Sequence, residues 1–234
     1  MNMFLKAAAF GAAFSMSAGI ASAATYNFKE LADGSAGESA YTTYSIGGID
    51  FTASQNLDGG EPESAVVYLD AGNAGMGVCG YADILGPRPD QGSNVCLNAD
   101  RGGNASDDSI QFQKEEVLTL EATGGPILLE SIWVNYNHDP NSGAFDAWEW
   151  IIGGETYSVA NGDLILDTLG GSGSDWRIDL GIVLNFGDPI SIIMTAGPNS
   201  YISAISATPV PLPAAGWLLL AGLGGIAAMK RRKS

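Results

Sequence analysis

Two oxygen-rich stretches hold most of the side chains that could do chemistry in this 234-residue chain. Asn98, Asp100 and Asn104 lead to Asp107 and Asp108, and Asn137 and Asp139 lead to Asp146. Carboxylates and amides at alternate positions of a glycine-bearing loop can surround one hard cation with several oxygens, which is what Ca²⁺ requires. Calcium is therefore the candidate cofactor. The spacing departs from an EF-hand, because no glutamate closes the loop as a bidentate ligand. A solvated acidic loop held by Asx-turns is the alternative reading of both stretches.

A second candidate is the pair Trp148 and Trp150, which flank Glu149. In a strand both indoles point to one face and the carboxylate to the other. Exposed, the pair is a platform for stacking sugar rings; buried, it is core. Trp133 and Tyr136 fall on opposite faces of their run, so no ladder of rings extends the platform.

Catalysis finds less material. His138 is the single histidine and no serine stands in a G-x-S-x-G elbow. Carboxylate pairs for glycoside hydrolysis could be drawn from the 26 acidic residues, but their abundance makes any choice arbitrary. The expectation is a chain that is not an enzyme, with a structural or surface role ahead of a carbohydrate-binding module and a glycan-active enzyme last.

The elements that must position these residues read as strands. Runs such as "IDFTAS", "AVVYLD", "EVLTLEA", "ILLESIWVNY", "AWEWII", "ETYSVA", "DWRIDLGIVL", "ISIIMTA" and "YISAISA" recur between clusters of Gly, Asn, Asp and Ser. Close spacing with turn chemistry predicts an all-β fold, an antiparallel β-sandwich. No convincing amphipathic helix interrupts it. Gly153-Gly154 is a two-residue hairpin signal, and Thr123-Gly124-Gly125-Pro126 is expected to reverse "EVLTLEA" into the run from Ile127. The body, 24–207, is about 185 residues long, enough for one domain with a sizeable core.

Both ends differ from this body. Met1 to Lys6 is a short charged region, Ala7 to Ile20 is apolar, and Ala21-Ser22-Ala23 is a small-x-small site, together a cleavable signal peptide over 1–23. At the other end, over 208–234, Val210-Pro211-Leu212-Pro213-Ala214 precedes the sixteen uncharged residues Ala214 to Met229 and then Lys230, Arg231, Arg232 and Lys233. A helix of that length spans ~24 Å, a marginal crossing of a ~30 Å hydrocarbon core. The basic cluster stays cytoplasmic, so the body is exported and the tail stops in the inner membrane. The two prolines hold an extended segment just outside the bilayer.

The proline motif, the glycine-bearing apolar helix with Trp217 and the terminal basic cluster resemble the PEP-CTERM class of sorting signals, in its VPLPA form. The resemblance implies recognition by an exosortase, a membrane protease-transpeptidase, in a Gram-negative bacterium, and an association with exopolysaccharide and biofilm. It also implies a place at the cell surface or in the extracellular matrix after transient anchoring. More weakly, "GMGVC", the Asp-rich loop, "EVLTL" and "YNHD" are similar to the jelly-roll-like bodies common in that class.

Export has two further consequences. With both ends removed, five basic side chains face 26 acidic ones, a charge of −21, which excludes a nucleic-acid partner and leaves cations and extracellular polysaccharide. Cys79 and Cys96, the only cysteines, enter an oxidising compartment. A bridge between them would close a loop of about 18 residues and contribute ~3 kcal/mol in the chain-entropy picture. Free thiols or a metal pair are the alternatives.

Overall fold

The computed structural model describes residues 22–34, 37, 39–55, 63–80, 110, 116–136, 147–167, 169 and 175–211. In chain order these form β1 (Ala24–Asn27), α1 (Phe28–Asp33), β2 (Ser39–Tyr41), β3 (Tyr44–Ile46), β4 (Ile49–Gln55), β5 (Glu63–Asp70), β6 (Gly75–Cys79) and β7 (Glu116–Ala122). Then follow β8 (Ile127–Asn135), β9 (Glu149–Ile152), β10 (Glu155–Ser158), β11 (Leu164–Leu166), β12 (Trp176–Leu184), β13 (Ile190–Ala196) and β14 (Tyr201–Pro209). Nearly all of it is antiparallel β, as the turn-punctuated runs predict.

Two sheets share one strand. The first runs β2, β5, β6, β14, β8, β12, β11, with β1 also beside β14. The second runs β10, β9, β13, β7, β4, with β3 and the start of β5 beside β4. Ala65 of β5 pairs with Ala53 in the second sheet, while Val66 pairs with Cys79 in the first. That strand therefore turns the corner between the sheets.

One apolar cluster fills the space between. Phe51, Leu118, Leu120, Trp150, Ile152 and Ile192 come from the second sheet, and Val67, Leu69, Ile132, Val134, Ile178 and Ile205 from the first. The period-two pattern is clearest in β7, where Leu118, Leu120 and Ala122 are buried and Val117, Thr119 and Glu121 lie on the half-exposed face. Gly153 and Gly154 have φ of 59° and 89°, which the two-residue turn joining Ile152 to Glu155 requires.

Two expectations are corrected. Thr123 to Pro126 does not close a hairpin, because β7 belongs to the second sheet and β8 to the first, so the turn carries the chain across the core. A short helix, α1, follows β1: the Asn27 side chain accepts the Glu30 N–H at 3.3 Å, and Phe28 and Ala32 are buried. Phe28 meets Phe51 edge-on at 5.6 Å. At its end β14 pairs Pro209 with Ile127, and the Val210 N–H then donates to the Pro126 carbonyl at 2.8 Å.

Register shifts interrupt four of the long strands, and three of them place polar side chains. Between Ile202 and Ala204 of β14 the extra residue is Ser203; between Leu129 and Ser131 of β8 it is Glu130; between Met194 and Ala196 of β13 it is Thr195. A bulge adds one residue and re-aims its side chain. Glu130 accepts from the Ser206 and Thr208 hydroxyls at 3.2 and 2.7 Å, and Thr195 Oγ1 donates to Glu149 at 2.7 Å.

Candidate functional site

Among the described residues, the most elaborate arrangement of polar groups is buried, and it starts from two elements far apart in the chain. Lys29, on the first turn of α1, has its Nζ 2.5 Å from Asp175 Oδ2, just ahead of β12. The two side chains are 3% and 0% exposed. Ser203, presented by the β14 bulge, donates its hydroxyl to Asp175 Oδ1 at 2.6 Å. Asn135 Nδ2, at the end of β8, donates to Ser203 Oγ at 2.7 Å and to the Ala74 carbonyl at 2.7 Å. An amide nitrogen can only donate, so the serine oxygen accepts from Asn135 and its proton must point at the carboxylate.

Each member is held by an ordinary structural cause. Asn27 caps α1 and fixes its first turn, so Phe28 enters the apolar core while Lys29 turns towards Asp175. Asp33, in the last turn, accepts the Gly72 N–H at 2.7 Å and ties α1 to the turn between β5 and β6 that also supplies Ala74. Charged groups withdrawn from water cost several kcal/mol each unless they are paired, and here every oxygen of Asp175 has a donor.

Two residues further along, Arg177 makes the opposite kind of site. Its guanidinium bonds Asp167 at 2.6 Å and Asp179 at 2.9 Å, with the side chains between 32% and 57% exposed. The hydrogen bond to Asp179, helped by Asp167, pushes the arginine pKa further up.

The tryptophan platform is contradicted. Trp148 and Trp150 are both fully buried, with ring centroids 6.2 Å apart inside the apolar cluster, so neither offers a face to a sugar. Same-side placement was legible from their spacing; the side they share is the core. Trp148 Nε1 donates to Ser200 Oγ at 2.9 Å, which in turn donates to the Pro198 carbonyl at 2.7 Å. Gly197 has φ of 111°, and a Cβ there would lie 2.5 Å from Trp148 Cδ1, so the ring fits only against a glycine.

All eight oxygen ligand candidates, Asn98, Asp100, Asn104, Asp107, Asp108, Asn137, Asp139 and Asp146, lie outside the described residues, as does His138. What is described is where the neighbouring chain goes. Ile110, just past the first stretch, exchanges backbone hydrogen bonds with Ser200 at 2.7 and 3.1 Å, and Trp148, just past the second, bonds the side chain of the same serine. Among the described residues no group of three or more His, Cys, Asp or Glu is placed to hold a metal ion.

Cys79 ends β6, fully buried, and is not a free thiol; Cys96 lies outside the described residues. Of the proline motif, Val210 and Pro211 are described and exposed at the rim below β14. Leu212, Pro213, Ala214 and the basic cluster Lys230, Arg231, Arg232 and Lys233 lie outside. Among the described residues no helix is long and apolar enough to cross a membrane.

Lys29, Asp175, Ser203 and Asn135 were not singled out from the sequence. Their partners are separated by up to 146 residues, and a bulge residue such as Ser203 leaves no compositional mark. The one available signal was a lysine set between Phe28 and Leu31 in a body with five basic side chains. Compared with protein-family models, curated proteins and solved structures, the chain matches none.

Proposed function

We propose that this chain is an exported, exosortase-processed protein of the cell surface or extracellular matrix, with a non-catalytic structural or interaction role beside exopolysaccharide. The signal peptide over 1–23, the VPLPA-type segment with its single membrane helix, and a jelly-roll-like arrangement of the two sheets belong to this reading. So does a bridge between Cys79 and Cys96.

The observation that carries it is a register. Ala24 pairs with Ala207 in an antiparallel ladder, so the first strand of the body begins beside the last residues of β14, a few residues before the motif. Two membrane-seeking ends then approach the same bilayer, and the body needs no rearrangement between the removal of the first and the processing of the second. The tie from Val210 to Pro126 supports the same reading, because it fixes the start of the motif as an extended segment at the rim.

A calcium-stabilised carbohydrate-binding module is the second reading, and it now rests on the loops alone. What favours it is that Ile110 and Trp148, each two residues past one of the oxygen-rich stretches, both bond Ser200.

Replacing Pro211 and Pro213 tests the first reading. Export and removal of 1–23 should be unchanged, while the full-length tail is retained in the inner membrane fraction. Release of the double variant at the wild-type level would remove the motif from the account.

A further inference from the structure

The pair formed by Lys29 and Asp175 has the geometry of a reaction as well as of a contact. We propose that the two side chains condense into an intramolecular amide, a covalent clasp between α1 and the residue just ahead of β12. This inference is independent of the sorting signal and stands on the buried cluster alone.

The first condition for such a step is that the amine and the acid both be neutral. In water they are ions, but at 3% and 0% exposure both charged forms lose their hydration. Transfer of one proton from Nζ to Oδ2 gives the uncharged pair from which the step proceeds. The second condition is approach. With Nζ 2.5 Å from Oδ2, the amine is in direct contact with the carboxyl group it would attack, and folding has already removed the entropy of bringing them together.

The third condition is a donor on the oxygen that gains charge. Attack of Nζ on Cγ drives electrons onto Oδ1, and that oxygen already accepts the Ser203 hydroxyl at 2.6 Å. The direction of that bond is fixed from behind. Asn135 Nδ2 occupies the acceptor side of Ser203 Oγ at 2.7 Å, so the serine proton has nowhere better to point. Ser203 thus polarises the carboxyl group during the step and donates to the amide oxygen afterwards.

The balance closes without any other reagent. The bond formed is Nζ–Cγ and the bond broken is Cγ–Oδ2. Oδ2 leaves as water, carrying the proton first transferred from Nζ and a second one lost from Nζ as the tetrahedral species collapses. The third ammonium proton remains on the amide nitrogen. No oxidation occurs, and both buried charges are removed.

The product joins residues 146 apart in sequence. Through Ser203 and Asn135 it also touches β14 and β8, two central strands of the first sheet. Residue 29 lies five places after Ala24, so the clasp would fasten the N-terminal segment of the exported body.

The test is the intact mass of the full protein purified after export, measured denatured and reduced. Wild type should be lighter than its sequence by one water. Digestion should yield a branched peptide joining Lys29 to Asp175. Lys29→Arg and Asp175→Ala should both restore the full mass, and Ser203→Ala should leave a fraction uncondensed. Wild type at its full sequence mass would overturn the proposal, whatever the variants do. A loss of water that survives in Lys29→Arg, or that maps elsewhere, would overturn it equally.

Discussion

Asp175 and Arg177 stand two residues apart, and each joins a cation to a carboxylate under very different conditions. The first pair is sealed between α1, β8 and β14 with every oxygen of the aspartate occupied. The second lies on the surface, where Arg177 shares its donors between Asp167 and Asp179. Distances of 2.5 and 2.6 Å make them look alike. Water separates them. An exposed pair is screened and contributes ~0–1 kcal/mol, whereas removing one partner of a buried pair strands the other and costs ~3–5 kcal/mol.

The largest effect should therefore come from Asp175→Ala. A loss of ~3–5 kcal/mol in equilibrium denaturation is expected, because Lys29 would remain buried with no acceptor. The double substitution Lys29→Met with Asp175→Leu should recover the part of that loss that comes from stranding a buried charge, since apolar pairs of similar size can replace buried ions, but not the part that the amide clasp contributes. If the double variant is as unstable as the single one, the clasp and the packing around it, and not the stranded charge, account for the loss.

Gly197→Ala gives the comparison a neutral control. The new Cβ would press on the buried Trp148 ring and sit at φ of 111°. Overpacking combined with backbone strain costs ~1–3 kcal/mol, with no dependence on salt. A melting temperature equal to wild type would mean that the ring has room to move.

Arg177→Ala should lower stability by only ~0.2–1 kcal/mol, and 1 M salt should erase most of the difference. A loss as large as that of Asp175→Ala would dissolve the distinction between the two sites.

The smallest effect appears only in alkali. Burial, with Tyr41 close by, raises the Tyr44 pKa above its ordinary value of 10.0. A folded state that holds its proton more firmly is favoured at full strength below pH 10.0, and that advantage is lost as pH rises through the folded value. Stability should fall above this point, and Tyr44→Phe should flatten part of the slope. An unchanged slope would assign it to Tyr157, whose pKa is raised by burial and by Glu155 and Asp163.

Strands were legible where composition carries them. β7 and β8 alternate apolar and polar residues or run continuously apolar between turn residues, and β9 and β10 flank a Gly-Gly pair that only a tight hairpin uses. β6 was not read as a strand, because "GMGVC" has neither alternation nor β-branched density, and all five residues are buried by their neighbours. The six residues of α1 are too few to show a helical period. The spacing of Trp148 and Trp150 told that the indoles share a face, but whether that face meets water depends on the opposite sheet. The buried cluster was illegible for a deeper reason. It is assembled from a helix cap, a bulge and strand ends separated by most of the chain, and no local pattern encodes such a meeting.

The account turns on processing at both ends of one pole, and a single measurement reads both. The mass of the protein released by a host with an exosortase should correspond to a chain beginning at Ala24 and ending within Val210 to Ala214, and a host lacking the exosortase should keep the tail to Ser234 in its inner membrane. A tail still reaching Ser234 in the released protein, or equal release from both hosts, would contradict the reading.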